Sequence, residues 1–231
     1  MTVQRWIAAN ILKKMKLHEA AVGFVGGKSI RDHAILHASS AYLLKMDLKD
    51  FFPIISDSRV RSMFRRAGYG PEAAYTLGRL TTLRGQLPQG APTSPGVSNI
   101  AARDFDLRIA GFARKYGLIY SRYADDIALS GSSELSQFHI DCVAQIAKDE
   151  KFEVNQKKTR IFGPTERKRL VGLVLKNGKV RIPKKARREI RQKMHFIERF
   201  GLQGHIERSE DSDPLAGERL LGRLSFWKFI E

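Results

Sequence analysis

The stretch IYSRYADDIALS, from Ile119 to Ser130, sets two carboxylates, Asp125 and Asp126, side by side in an otherwise apolar segment. Like charges on neighbouring residues repel, and burial raises the cost. The pattern reads as strand, tight turn, strand, with both acids where the hairpin turns. A third acid, Asp47, lies near the end of another buried strand, in AYLLKMDLKDFFP, closed by Pro53. If the two strand segments are neighbours in one sheet, three carboxylates converge at one edge, where cations must neutralise them. Hard divalent cations prefer oxygen ligands, and Mg²⁺ usually takes one or two carboxylates plus substrate phosphates. Two such ions about 3.5–4 Å apart clamp the attacking and leaving oxygens of an in-line phosphoryl transfer. The expected cofactor is therefore a pair of Mg²⁺ ions, with Mn²⁺ as a substitute. Ordinary turn chemistry explains an isolated Asp-Asp; it does not explain the aspartate at the distant strand end.

Charge points to the partner. The chain has 41 Lys and Arg against 24 Asp and Glu, a net charge of +17. Between Lys157 and Lys193 stand 15 basic residues and two acids, Glu166 and Glu189. A solvated basic face is the bland reading, but repulsion at this density calls for a polyanion, most often nucleic acid. One cysteine, Cys142, excludes an internal disulfide and a cysteine zinc cluster and fits a reducing cytoplasm. No apolar run approaches a membrane span, and no secretory signal opens the chain.

The remaining pattern predicts an α+β chain. Val3, Trp6, Ile7, Ile11 and Met15 fall on one helical stripe. Ser56 can cap a helix running to Arg66, and Pro71 can start another. Helices are predicted over 97–115 and 134–149, and a last clear one on Ala186, Ile190, Met194 and Ile197. The segment RLVGLVLKNGKVRIP reads as a hairpin turning at Asn177-Gly178.

Four segments, in this order and spacing, resemble the motifs of reverse transcriptases. They are KMDLKDFFP (Lys45–Pro53), LPQGAPTSP (Leu87–Pro95), YADD (Tyr123–Asp126) and VNQKKT (Val154–Thr159). QRWIAANIL and RYADDIALSG resemble the bacterial retron group in particular. The resemblance implies a right-hand polymerase fold with an antiparallel palm sheet flanked by helices, partial fingers and a short helical thumb. It divides the chain into partial fingers (1–45), a palm (46–165) with inserted fingers helices at about 56–95, a primer-grip hairpin (166–183) and a thumb (184–231). It implies that Asp47, Asp125, Asp126 and the Leu48 carbonyl bind metal. Lys49, Asp50, Phe51, Phe52, Gln89, Gly90 and Lys158 would line the nucleotide site. Phe52 would exclude a ribose 2′-hydroxyl, with core packing expected for one of the two phenylalanines, and Lys158 would serve the triphosphate. Tyr123, Leu170, Val171, Gly172, Lys184, Lys185, Arg187, Arg188 and Arg191 would touch primer and template.

The resemblance also implies an RNA-directed DNA polymerase using dNTPs on a structured noncoding RNA through an RNA–DNA hybrid, primed from a 3′- or 2′-hydroxyl. Members of this kind often serve in anti-phage defence with an effector protein. Another bacterial reverse transcriptase, group II intron-like or a non-retron defence enzyme, and a non-catalytic RNA-binding scaffold are the alternatives. The chain departs from the retron pattern at HAILH, where His33 stands for the usual Asn and His37 is kept, and at Leu170–Gly172, LVG for VTG. The strand-rich start of the fingers is not found before the opening helix, so a shortened chain or a second chain completing that surface is expected.

Overall fold

The structure, a computed structural model, describes residues 2–208 and 215–231, with side chains for all of these except 202–208. Residues 209–214 of the expected thumb lie outside the described residues. Strand β1 (Tyr42–Lys49) is the centre of the larger sheet. On one side it pairs antiparallel with β3 (Asp126–Gly131), which pairs with β2 (Ile119–Tyr123) at the edge. On its other side lie β4 (Glu153–Val154) and β5 (Arg160–Phe162). The β1–β3 register places Asp47 opposite Asp126.

Alternation along β1 separates two environments. Leu44, Met46 and Leu48 enter one core with Ile127 and Leu129 of β3. Helices cover this face: α3 (Asp57–Arg66), α5 (Ser94–Ala101), α6 (Arg103–Lys115) and α7 (Gln137–Asp149) contribute Phe64, Val97, Phe105 and Val143. Each such side chain stabilises the fold by about 1.5–3 kcal/mol on burial. On the opposite face Leu43 and Ala128 join a second core with Ala34 of α2 (Ile30–Leu36). Further along that same face of β1 come Lys45 and Asp47, so the apolar cover stops where the charged residues begin.

The second core is closed by a smaller antiparallel sheet, β6 (Lys168–Leu170), β7 (Leu173–Lys176) and β8 (Lys179–Arg181). Asn177 at φ 51° and Gly178 at φ 71° make the two-residue turn expected from that dipeptide. Helix α8 (Lys184–Arg208) follows, broken by Gly201 at φ 72°, and then α9 (Ala216–Ile230) packs against it.

The local signals at Ser56 and Pro71 hold: the Ser56 hydroxyl accepts from the Arg59 amide, and Pro71 opens α4 (Pro71–Thr81). Three expectations change. The helix expected over 97–115 is two, α5 and α6, meeting at Ala102. Helix α9 falls within the segment expected as a helical thumb, but no local signal marked it as a separate helix. In α1 (Thr2–Asn10) only Ile7 is buried, while Val3 and Trp6 are 55% and 59% exposed; the rest of the stripe that packs on the core, Ile11 and Met15, lies beyond the helix. Among the described residues no helix is long and apolar enough to cross a membrane.

Candidate active site

The hairpin β2–β3 turns through Ala124 and Asp125, flanked by the pair Tyr123–Asp126. Ala124 has φ 55°, a left-handed backbone that costs a non-glycine residue on the order of 1–3 kcal/mol. A buried guanidinium offsets that strain. Arg122, fully buried, donates from Nη1 to the Ala124 carbonyl at 2.9 Å and to Asn99 Oδ1 at 3.2 Å. Its Nε and Nη2 each reach the fully buried Asp106 of α6 at 2.7 Å, and the Tyr120 hydroxyl donates to the same carboxylate. Burial alone would lower the Arg122 pKa; Asp106 outweighs it and holds the guanidinium charged. From the other side, residues 20–23 run along β2, with Val22 donating to the Arg122 carbonyl and Arg122 to the Ala20 carbonyl. A Cβ on Gly23 would lie 2.6 Å from the Ala124 nitrogen, so only glycine fits against the turn.

This frame brings the three predicted acids to one strand end. The Leu48 amide donates to the Asp125 carbonyl at 2.9 Å, and the Asn155 amide to the Asp47 carbonyl at 2.7 Å, locking β1 to both neighbours. Burial pushes the Asp125 carboxyl up; its own backbone amide and Lys158 act against this, and Asp47 and Asp126 add to it. Two lysines counter the cluster. Lys158 Nζ donates to both Asp47 oxygens at 3.1 Å, and this bond, with the charges of all three acids, raises its pKa. Lys45 Nζ lies 2.9 Å from Asp126 Oδ1, an ion pair whose angles are not those of a hydrogen bond.

These donors fit hard divalent ions: all are carboxylate oxygens, and the ammonium groups of Lys45 and Lys158 stand where cations are demanded. Among the described residues, however, no three acid, histidine or cysteine side chains converge closely enough to hold an ion as they stand. Asp47 and Asp126 each face a lysine instead. Metal binding therefore needs those side chains to turn, which the 60% exposed Lys158 side chain permits.

The other predicted residues divide. Phe51, 3% exposed, packs on Phe152 and under the Arg122 guanidinium, so it is a core residue and not a nucleotide contact. Phe52 is half-buried, its ring 6.2 Å from that of Phe24, which in turn lies 6.1 Å from the ring of Tyr123 at the turn. Lys49 pairs with Glu153 across β1–β4, and Asp50 turns the chain at φ 47°. Gly90 has φ 81°, which suits only glycine, and Gln89 is exposed beside it. Leu170 is wholly buried in the second core and cannot offer its side chain to a strand; Val171 and Gly172, at φ 44° and 78°, form the turn tip. Lys184, Lys185, Arg188 and Arg191 are exposed on α8, with Arg191 over the Trp227 ring and Arg187 facing Glu231 at 3.8 Å.

His33 of α2 and His37 at its C-cap are fully buried. His33 Nδ1 and His37 Nε2 share the Ser121 hydroxyl at 2.7 and 2.8 Å, and His37 Nδ1 meets Ser130 at 2.7 Å. They tie α2 to both strands of the hairpin.

Comparison with known proteins settles the kinship. Residues 2–175 match the family described as reverse transcriptase (RNA-dependent DNA polymerase). The chain belongs to the reverse transcriptase family. It is 37% identical over 196 residues to the retron Ec86 reverse transcriptase of Escherichia coli, covering 84% of this chain and 61% of that protein. It is 32% identical over 226 residues to the retron Mx162 reverse transcriptase of Myxococcus xanthus, covering 83% and 47%. The kinship is thus retron-type, and the chain spans about half to three fifths of those relatives' length. Among solved structures, a Candida tropicalis telomerase truncated from its C-terminal domain superposes with a TM-score of 0.55 at 12% identity, covering 79% of this chain and 44% of that one. A Candida albicans telomerase in complex with a telomeric RNA fragment gives 0.52 at 13%, covering 84% and 42%. The fold is the right-hand polymerase fold, with mixed helices and antiparallel sheets.

Sequence reasoning found the acids but missed what holds them. None of Arg122, Asp106, Asn99, Lys45, Gly23 and Phe24 was assigned a role, although Lys45 and Arg122 stand inside the quoted motif segments. A lone arginine inside an apolar strand was the one available hint of a buried ion pair.

Proposed function

We propose that the chain is an RNA-directed DNA polymerase of retron type that adds dNTPs to a primer hydroxyl on a structured RNA template. The observation that carries this reading is the register that sets Asp47 opposite Asp126, with Asp125 at the adjoining turn. When bound, a pair of Mg²⁺ or Mn²⁺ ions would activate the attacking hydroxyl and stabilise the leaving pyrophosphate. Asp47, Asp125, Asp126 and the Leu48 carbonyl would hold them. Lys158, released from Asp47, is then free to bind the triphosphate. Phe52, backed by Phe24, would exclude the extra oxygen of a ribonucleotide, and Gln89 with Gly90 would set the template base and the incoming nucleotide. In this reading the large sheet is the palm, β6–β8 the primer grip, and α8 with α9 the thumb, whose exposed cations track backbone phosphates.

The test is Mg²⁺-dependent primer extension with Asp125→Asn and Asp126→Asn combined. Incorporation should be abolished while RNA binding persists. Equal loss of binding would assign the acids to folding and remove the metal role.

A further inference from the structure

A second concentration of positive charge lies away from the acids. The loop 38–41 before β1, the loop 164–167, the Asn177–Gly178 turn and the start of α8 enclose a groove of about 660 Å³. It sits beyond the Tyr42 end of β1, which the rise of a strand places about 17 Å from Asp47. It is also at the end of β6 and β7 opposite the Val171–Gly172 tip, since Lys168 pairs with Leu175 there.

Six cations line it: Arg167, Lys168, Lys176, Arg181, Lys184 and Arg187. The one acid in the lining, Glu166, is already engaged by Arg160 at 2.9 Å and by the Gly163 amide at 2.8 Å. Lys168 is the decisive residue. It is 7% exposed, and alternation along β6 turns it to the same side as the core residue Leu170, away from exposed Arg169. Among the described residues its side chain makes no hydrogen bond or ion pair, and only the field of its charge reaches Glu166. The Nε of Arg187 is likewise buried with no hydrogen-bond partner among the described residues. Cations crowded round one engaged acid, one of them sunk to 7% exposure and another with a buried, unbonded Nε, are costly unless an anion completes them. The first turn of α8 adds its amides and the positive end of its dipole to the same wall.

We infer that this groove is a phosphate site, and that a nucleic-acid strand lying beyond the catalytic end of the sheet supplies the phosphates. The exposed Lys185, Arg188 and Arg191 continue the charge from the groove along α8, which suits a chain of phosphates better than one small anion. The inference rests on the reading that the chain binds nucleic acid, but not on catalysis.

The experiment is fluorescence anisotropy of a labelled RNA duplex across a salt series, with the wild-type chain, Lys168→Met and Arg181→Gln. Binding by the wild type tests the parent reading first; no binding at low salt would overturn both. Given binding, each substitution should lower the slope of log affinity against log salt by about one. Lys168→Met keeps the buried apolar stem of the side chain and removes only the ammonium that lines the groove, so the melting temperature should be unchanged. Exposed Arg181→Gln reads the groove without touching the fold. Slopes equal to wild type in both variants would overturn the site. Displacement of RNA from the wild type by millimolar inorganic phosphate, beyond the effect of chloride at equal ionic strength, would overturn the strand in favour of a free phosphate ligand.

Discussion

At the scale of single residues, the candidate site depends on a guanidinium that never meets solvent. Arg122 is bound at once to Asp106, to Asn99 and to the strained Ala124 carbonyl. Two roles are therefore superposed: neutralising a buried carboxylate and holding the turn that carries Asp125. Arg122→Met strands Asp106 in the core and should cost about 3–5 kcal/mol of stability, seen as a fall in the denaturation midpoint. Adding Asp106→Leu removes the orphaned charge and should recover most of that loss. It does not restore the hydrogen bond to Ala124, so primer extension should stay depressed in the double variant. Wild-type incorporation in that stable variant would leave Arg122 a purely structural residue. The acids themselves were legible in the sequence because adjacent carboxylates in an apolar strand are anomalous on their face. Their support was not, because Asp106 comes from a helix and its need for a partner appears only when α6 packs on β2.

At the scale of elements, α2 is attached to the hairpin by polar groups that must stay neutral. Burial holds both His33 and His37 down to a pKa of about 3; for His33 the charges of His37, Lys45 and Arg122 act in the same direction. In the unfolded chain these imidazoles protonate near 6.5. Between about pH 6.5 and 3 the unfolded state binds more protons, so stability is complete above that window and falls as the pH falls through it. Each histidine can contribute up to about 1.4 kcal/mol per pH unit there. The melting temperature should drop between pH 7 and 5, and His37→Gln should flatten that slope; parallel slopes would take His37 out of the account. HAILH was legible as a departure from the retron pattern, but not that its histidines face serines on two strands, since that contact crosses the fold. Local signals such as the Ser56 cap, Pro71 and Asn177-Gly178 were legible because they act within a few residues. The break at Ala102 and the helix α9 were not, because neither is marked by a cap or a clear apolar stripe.

At the scale of the whole molecule, a net charge of +17 is concentrated where β5 to α8 lie, beside a cluster of three acids. Self-repulsion in the basic part opposes the compact state and is screened by salt, while attraction to a polyanion is screened by the same salt. The two effects have opposite signs in experiment. Raising NaCl from 50 to 200 mM should raise the melting temperature of the free protein. Over the same range, affinity for an RNA–DNA hybrid should fall steeply, by about 10³–10⁵ if six to ten phosphates are neutralised. Exposed pairs such as Lys49–Glu153 and Arg160–Glu166 weaken with salt too, but each is worth little. A melting temperature that fell with salt would mean that such pairs outweigh the repulsion. The basic surface would then be balanced within the chain itself and would need no nucleic-acid partner to offset its charge.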